Sequence, residues 1–225
     1  VAKQALAQYG IVVGSHILQI NDIQEERFNS MGVSDVELAE LHAKKFAVMD
    51  DAIGEKMQER ILQAKSELNS VGGVIEAVAL HLPAGIGAPY FDSVESMLSH
   101  ALFSVPAVKG VEFGDGFGFA GLTGAEANDA LHYVDGKVQA LTNHNGGVTG
   151  GITNGMPLVV RVAIKPTPSI AREQQTVSLK EQADTTLAIV GRHDPCIVQR
   201  AVPVIEAVVA WTLWDLLLEA KKWEK

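Results

Sequence analysis

The sequence feature that most restricts the fold is an apolar stretch over residues 201–218. Pro203, Glu206 and Asp215 interrupt it, and a charged side chain at the centre of a bilayer is costly. We therefore expect a buried helix of a globular core and no membrane span. Because a proline inside a helix costs about 3 kcal/mol, we expect a short turn first and the start of the long helix near Pro203.

The rest of the sequence predicts both strands and helices to cover this core helix. Helical spacing over residues 50–68 predicts one helix, and Asp92 with Glu95 three residues later predicts the capped start of another. Residues 121–145 are expected to be irregular. Because the segments do not alternate as βαβ units, we predict a single mixed α and β domain over residues 1–225. Strands are predicted from β-branched or alternating segments at residues 9–20, 74–82, 108–119, 158–164, 176–180 and 187–190.

The composition argues against several classes of partner. The chain has 18 Lys and Arg against 27 Asp and Glu, a net charge of −9, whereas nucleic acid binding needs a broad basic surface. Cys196 is the only cysteine, so a reducing cytoplasm is the expected location. The seven histidines lack the paired spacing of a metal site. We therefore expect neither nucleic acid nor metal to bind.

Residues 191–196, Gly-Arg-His-Asp-Pro-Cys, place a cation and a carboxylate beside a proline. Asp194 followed by Pro195 is typical of a helix start, since Asp can cap free N–H groups and proline needs no donor there. Arg192 and Asp194 would then lie on a loop entering a helix, where anions are favoured. The segment is either a phosphate or acid–base site, or an Arg–Asp surface pair at a helix cap.

A glycine-dense stretch over residues 146–151 permits close backbone approach, because glycine has no Cβ. It suits contact with a flat ring or a phosphate, and a tight turn is an equally good explanation. Asn143 and His144 directly before it are candidate polar contacts or structural residues. Lys109 and Glu112 form a candidate structural ion pair.

The segment Lys165-Pro166-Thr167-Pro168-Ser169 follows a predicted strand. Its two prolines stiffen the chain, while one cation and two hydroxyl groups can hold a phosphate through charge-assisted hydrogen bonds. The alternative interpretation is a rigid turn leaving the strand.

Several sequence blocks occur together in one order. They are Phe91-Asp92-Ser93, then residues 104–114 (Ser-Val-Pro-Ala-Val-Lys-Gly-Val-Glu-Phe-Gly), 143–147 (Asn-His-Asn-Gly-Gly), 150–155 (Gly-Gly-Ile-Thr-Asn-Gly), 165–167 (Lys-Pro-Thr) and 192–196, followed by Ala201-Val202-Pro203. This colinear set resembles the chorismate synthase family, and it is far more specific than any one block.

The resemblance implies an α+β fold, a sandwich of β-sheets and α-helices truncated here at its N-terminus, that assembles as a homotetramer. It implies a carbon–oxygen lyase of the shikimate pathway, which leads to the aromatic amino acids. The enzyme converts 5-enolpyruvylshikimate 3-phosphate to chorismate by 1,4-anti elimination of phosphate. Reduced FMN is the cofactor that the resemblance implies, and some relatives use NADPH to reduce it.

The resemblance also implies roles for individual residues. Asp194 matches the carboxylate that assists the flavin as a base, and Arg192 matches a contact to flavin or substrate. Many relatives have Asn at the position of Pro106 and Ser or Ala at that of Pro168, so no side-chain hydrogen bond is expected from either proline. The implied cofactor-binding residues are Pro106, Ala107, Gly150, Lys165, Pro166, Thr167, Pro168, Ser169 and Arg192.

The sequence departs from the family pattern in one respect. Two site histidines of the family lie in motifs that begin Gly-Glu-Ser-His and that surround Ser-Ala-Arg, and neither motif occurs here. We therefore expect a C-terminal piece of a longer enzyme, inactive alone and with apolar faces uncovered. The alternative function is a non-catalytic unit for flavin binding or oligomerisation. An unrelated phosphate-binding enzyme would require the colinear blocks to be coincidence.

Overall fold

The computed structural model describes residues 1–221, apart from the side chain of Lys137. Its main sheet has five strands: β1 (Val12–Ile20), β2 (Ile23–Gln24), β3 (Gly73–Leu80), β4 (Val108–Phe113) and β9 (Leu158–Ile164). The strand order is β2-β1-β3-β9-β4, and each neighbouring pair is antiparallel. Three separate hairpins contain β5 (Leu131–Val134), β6 (Lys137–Ala140), β7 (Val148–Thr149), β8 (Ile152–Thr153), β10 (Gln174–Ser178) and β11 (Ala183–Leu187).

Residues 1–221 also form five α-helices. They are α1 (Ala2–Ala7), α2 (Asp35–Ala43), α3 (Asp51–Ser66), α4 (Val94–Phe103) and α5 (Val198–Lys221). The helix α5 contacts α1, α4 and the main sheet, while α2 packs on β1. The predicted α+β fold is therefore confirmed.

The alternation of side chains along β9 produces two apolar layers. Leu158, Val160, Val162 and Ile164 belong to the large core that α5 and α4 cover. Val159 points to the opposite face and joins a smaller cluster with residues of α2. This strand occupies the segment predicted from its β-branched residues.

The predicted start of the long helix near Pro203 is wrong. α5 begins at Val198, and Pro203 lies inside the helix. A proline at this position leaves the carbonyl of Gln199 without its helical donor. Because Pro203 and Gln199 are both exposed, water can bind that carbonyl and reduce the penalty on which the prediction relied.

The predicted burial of this helix is confirmed. Ten of the residues of α5 are buried. α5 is the one helix among residues 1–221 that is long and apolar enough to cross a membrane, yet more than half of its apolar stretch is buried inside the protein. This pattern is that of a core helix.

Two further helices form where they were predicted. The Asp50 carboxylate accepts two backbone N–H groups of α3, at 2.7 and 3.2 Å. The prediction that Asp92 caps α4 is wrong, because Ser93 is the N-cap and its Oγ accepts from Ser96 N at 3.1 Å. Asp92 lies one residue too early, at the end of the 3-10 turn Tyr90–Asp92.

The predicted strand over 108–119 is too long. β4 ends at Phe113, because Gly114 adopts a φ of +54°. A turn of 3-10 helix at Gly116–Gly121 then leads away from the sheet.

Two hairpins also differ from the predictions. Residues 121–145 are not wholly irregular, since β5 and β6 pair across Asp135 and Gly136, whose φ angles are +50° and +76°. An Asp-Gly pair is a strong signal for a two-residue hairpin turn, and the prediction overlooked it. β10 and β11 form a hairpin that is displaced from the predicted segments 176–180 and 187–190.

A row of four charged side chains crosses the sheet on the face that carries α2. His16 in β1, Glu76 in β3, Arg161 in β9 and Glu112 in β4 are register partners on adjacent strands. His16 Nε2 lies 3.0 Å from Glu76 Oε2, and Arg161 Nη1 lies 3.0 Å from Glu76 Oε1. Arg161 Nε donates to Glu112 Oε1 at 2.6 Å. The first three residues of the row are buried.

The pKa shifts of His16 and Glu76 favour the charged form of each of these two side chains. Burial alone would lower the pKa of His16, but hydrogen bonds to Glu25 and Glu76 outweigh it, so the pKa is raised. Burial alone would raise the pKa of Glu76, but hydrogen bonds from His16 and from the Phe28 N–H hold it below its usual value. These contacts give His16 a structural role in the sheet.

Candidate functional site

One end of the main sheet brings together two predicted cofactor-binding segments. Ala107 precedes β4 and Lys165 follows β9, and the Lys165 N–H donates to Ala107 O at 2.9 Å. Val108 and Ile164, the next residues inward, are paired within the sheet. The two segments therefore lie side by side.

Ala107 adopts a left-handed backbone conformation, with a φ of +74°. In a residue other than glycine such a conformation costs about 1–3 kcal/mol, and it persists where the surroundings enforce it. Here the hydrogen bond from Lys165 contributes to that constraint. The unusual backbone conformation of Ala107 supports the hypothesis that this end of the main sheet is a binding site.

Thr167 carries an unsatisfied polar atom. Its Oγ1 is buried and has no hydrogen-bond partner among the described residues. Leaving a buried hydroxyl unpaired costs about 1–3 kcal/mol. Lys165 in the same loop is exposed, so a cation and an unpaired hydroxyl lie within three residues. This combination suits an anionic ligand with oxygen atoms.

The loop that contains Arg192 reaches the same end of the sheet. The Val71 N–H, just before β3, donates to Pro195 O at 2.8 Å. Arg192 is exposed and, together with Lys65, lines a shallow cavity of about 290 Å³. Two cations beside one cavity create a local positive potential on a chain whose net charge is negative.

Asp194 does not cap a helix as predicted, because α5 begins only at Val198. Its Oδ2 accepts from Arg200 Nη1, in the first turn of α5, at 2.7 Å. A surface Arg–Asp pair was one of the two interpretations, but the partner is Arg200 and not Arg192. Among the described residues no donor reaches Asp194 Oδ1, so this oxygen is available to a ligand or a proton.

Gly150 lies at the other end of the sheet. It occupies the turn between β7 and β8, where Gly151 O accepts from Val94 N at the start of α4, at 3.0 Å. α4 has ten residues, a length of about 15 Å, and Ala107 follows its far end. A Cβ at Gly150 would meet no described atom within 4 Å. Gly150 is therefore open to a flat ligand but remote from the other predicted positions of this chain.

The remaining glycines of the stretch form a tight turn, one of the two interpretations. Gly146 and Gly147 have φ angles of +61° and +83°, and a Cβ at Gly146 would lie 2.3 Å from Gly114 N. Asn143 fixes this turn, since its Oδ1 accepts from Gly147 N and its Nδ2 donates to Pro157 O, both at 2.8 Å. Asn143 therefore has a structural role here.

Two predicted polar residues have other partners. His144 Nδ1 lies 2.6 Å from Asp115 Oδ2, and both side chains are about one-third exposed. The predicted Lys109–Glu112 pair is wrong, because the Glu112 carboxylate accepts from Arg161 Nε instead, at 2.6 Å.

The sequence prediction missed residues 69–72, which contact both site loops. Ser70 Oγ donates to Thr167 O at 2.6 Å, and Val71 N donates to Pro195 O. The available sequence signal was the pair Gly72-Gly73, because adjacent glycines permit close backbone approach. Residues 1–221 contain no group of three or more His, Cys, Asp or Glu side chains arranged to hold a metal ion.

Comparison with known proteins identifies the family. A family model described as "Chorismate synthase" matches residues 1–218. The chain is 46% identical over 225 residues to the chorismate synthase of Thermococcus gammatolerans, covering 99% of the chain and 61% of that relative. It is 44% identical over 223 residues to that of Pyrococcus abyssi, with the same coverage.

A solved structure agrees with this match. A protein described as "Crystal Structure of Chorismate Synthase" superposes with a TM-score of 0.78 at 30% identity, over 97% of this chain and 60% of that one. The chain belongs to the chorismate synthase family. It spans about three-fifths of the length of the curated relatives.

Proposed function

We propose that the chain forms the FMN-binding portion of a chorismate synthase, which converts 5-enolpyruvylshikimate 3-phosphate to chorismate and phosphate. The observation that carries the proposal is the buried, unpaired hydroxyl of Thr167 within a cationic loop, in a chain of this family. We propose that this enzyme acts in the shikimate pathway and in the cytoplasm. NADPH, the reductant in some relatives, stays a prediction.

The residues at the sheet end suit a flavin phosphate. Lys165 supplies a cation, and Thr167 and Ser169 supply hydroxyl groups, which together form charge-assisted hydrogen bonds to oxyanions. Pro166 and Pro168 limit the conformations of the loop, so little entropy is lost when a ligand binds. The loop therefore fits the group that the family requires.

The acidic and basic groups of the other loop suit the elimination. When bound, reduced FMN supplies transient electron donation as the phosphate leaves. Arg192 binds oxyanions of flavin or substrate through its planar guanidinium. Asp194 would assist the flavin as a base, its Oδ1 accepting the proton that the substrate loses in the elimination, while Arg200 holds the other oxygen of that carboxylate in place.

The remote position of Gly150 supports an assembly in which two subunits complete one site. A strand of seven residues such as β9 spans about 20 Å, and Gly150 and Lys165 lie beyond opposite ends of it. We propose that Gly150 contacts the flavin of a neighbouring copy in a homotetramer.

The experiment is to fuse the chain to the two-fifths of the Thermococcus gammatolerans enzyme that it does not span, and to assay chorismate formation with reduced FMN. The fusion should be active and the isolated chain inactive. Asp194→Asn should lower kcat by about 10²-fold or more, as expected for a proton-transfer residue. The control Asp184→Asn, an exposed carboxylate on β11, should retain activity.

The alternative is a non-catalytic unit for flavin binding or oligomerisation. It is favoured by the absence of the Gly-Glu-Ser-His and Ser-Ala-Arg motifs from this sequence. An inactive fusion that still binds FMN would support this alternative, and full activity of the isolated chain would contradict both the expected inactivity and the alternative.

A further inference from the structure

The segment 69–72, between α3 and β3, contacts both loops of the proposed site. Ser70 Oγ donates to Thr167 O at 2.6 Å, and the Val71 N–H donates to Pro195 O at 2.8 Å. Ser70 and Val71 are only 9% and 3% exposed. Two neighbouring residues thus hold the loop of Thr167 and the loop of Arg192 at fixed positions.

The fit of this segment against the first loop is close. A Cβ at Gly72 would lie 2.3 Å from Ile164 O and 3.0 Å from Pro166 Cδ, so only glycine permits this approach. Gly72 O also accepts from Asn21 N at 2.9 Å, which ties the segment to the end of β1. The segment therefore has little freedom to move relative to the sheet.

The loop that contains Thr167 is held in place by hydrogen-bond donors from other parts of the chain. Pro166 and Pro168 have no N–H, so the loop cannot be fixed by donors of its own at those two positions. The contact from Ser70 fixes the carbonyl of Thr167, and Gln174 Nε2 donates to Pro168 O at 3.2 Å in an exposed position. Ser70 is the buried one of these two donors.

We infer that Ser70 is a positioning residue of this site, a conclusion that rests on the proposed function. Its hydroxyl fixes the peptide plane of Thr167, and with it the backbone from which the unpaired Oγ1 extends. The backbone N–H of Val71 likewise fixes the carbonyl of Pro195 in the loop that contains Arg192. Ser70 touches neither flavin nor substrate, and its effect on affinity arises through Thr167.

The test compares Ser70→Ala, Ser70→Thr and the control Ser66→Ala, whose exposed Oγ bonds only to Gln63 O of its own helix. Each variant is titrated with FMN by fluorescence quenching, and amide hydrogen exchange is measured at Thr167, Ser169 and Ile170. Ser70→Ala should weaken FMN binding by about tenfold, the value of one good hydrogen bond, and should accelerate exchange. Ser70→Thr should restore both quantities, and Ser66→Ala should change neither.

The two readouts separate this inference from the proposed function. If the wild-type chain does not bind FMN, the flavin proposal fails, and the exchange rates alone decide the role of Ser70. Unchanged exchange and affinity in a folded Ser70→Ala variant would overturn the inference. A Ser70→Thr variant that folds but resembles Ser70→Ala in both readouts would overturn it as well.

Discussion

Arg161 and Glu76 face each other on β9 and β3, and Arg161 Nη1 donates to Glu76 Oε1 at 3.0 Å inside the sheet. Their side chains are 4% and 0% exposed. On either side His16 and Glu112 extend the row, so each buried charge has an opposite charge beside it. Arg161 also donates to Gly114 O, directly after the end of β4.

Removing the cation from this row should destabilise the fold strongly. Arg161→Met removes one of the two cations that pair with the buried Glu76 carboxylate, His16 being the other, and breaking a buried pair costs up to about 3–5 kcal/mol. Urea unfolding measures the loss. The control is Lys56→Met on the exposed side of α3, which should change stability by less than about 0.5 kcal/mol. Equal stability of the two variants would mean that the row contributes nothing.

The row should also give stability a maximum at mildly acidic pH. The pKa of His16 is raised above 6.5, so its contribution is complete below pH 6.5 and is lost as pH rises through the folded value. The pKa of Glu76 is lowered from 4.5, so its contribution is complete above pH 4.5 and is lost as pH falls through the folded value.

Unfolding measured from pH 3 to pH 9 checks this behaviour, and His16→Gln is the matched variant. The wild-type chain should lose stability on both sides of the window between 4.5 and 6.5. His16→Gln should lose the decline on the alkaline side. If stability falls equally on the alkaline side in the wild-type chain and in His16→Gln, a group other than His16 causes that loss.

Much of the fold could be predicted because its segments carry strong local signals. Leu158–Ile164 is β-branched and formed the predicted strand, and Asp50 capped the predicted helix α3. The start of α5 could not be predicted in the same way, because the cost of Pro203 depends on whether water reaches the Gln199 carbonyl. That exposure is a property of the packed structure and not of the local sequence.

The site was only partly predictable, for a related reason. The chemistry of Lys165 and Thr167 is visible in the sequence, but their position next to Ala107 depends on pairing between β9 and β4. Ser70 lies 97 residues from Thr167, and no periodicity connects residues that far apart. Local patterns therefore identified the ligand-binding groups but not the residue that orients them.

Gly114, which packs against the 143–147 turn, and Gly150, in the turn between β7 and β8, should tolerate alanine differently. Gly114 and Gly150 have similar φ angles, +54° and +62°, so the backbone penalty of about 1–2 kcal/mol is shared. A Cβ at Gly114 would lie 1.9 Å from His144 O, whereas one at Gly150 is free of contacts among described atoms. Gly114→Ala should therefore be the more destabilising in thermal unfolding, and the reverse order would contradict this account.

An exposed apolar stripe on α5 should drive self-association of the chain. Val204, Trp211 and Leu218 follow each other at seven-residue spacing, on one side of the helix, and are 44%, 65% and 40% exposed. Trp211→Gln should lower the association seen by sedimentation at increasing concentration. Val190→Gln, at a 98% exposed position outside α5, is the control. A wild-type chain that stays monomeric at high concentration would contradict the expected oligomer.

Titration of FMN against the wild-type chain and Thr167→Val tests the central claim most directly. Valine keeps the shape of threonine and removes the unpaired Oγ1, so thermal stability should stay equal or rise. Quenching of flavin fluorescence should saturate for the wild-type chain, and the affinity of Thr167→Val should be lower by about tenfold. Equal affinity of both proteins, or no quenching by the wild-type chain at millimolar concentration, would contradict the assignment of this loop to the flavin.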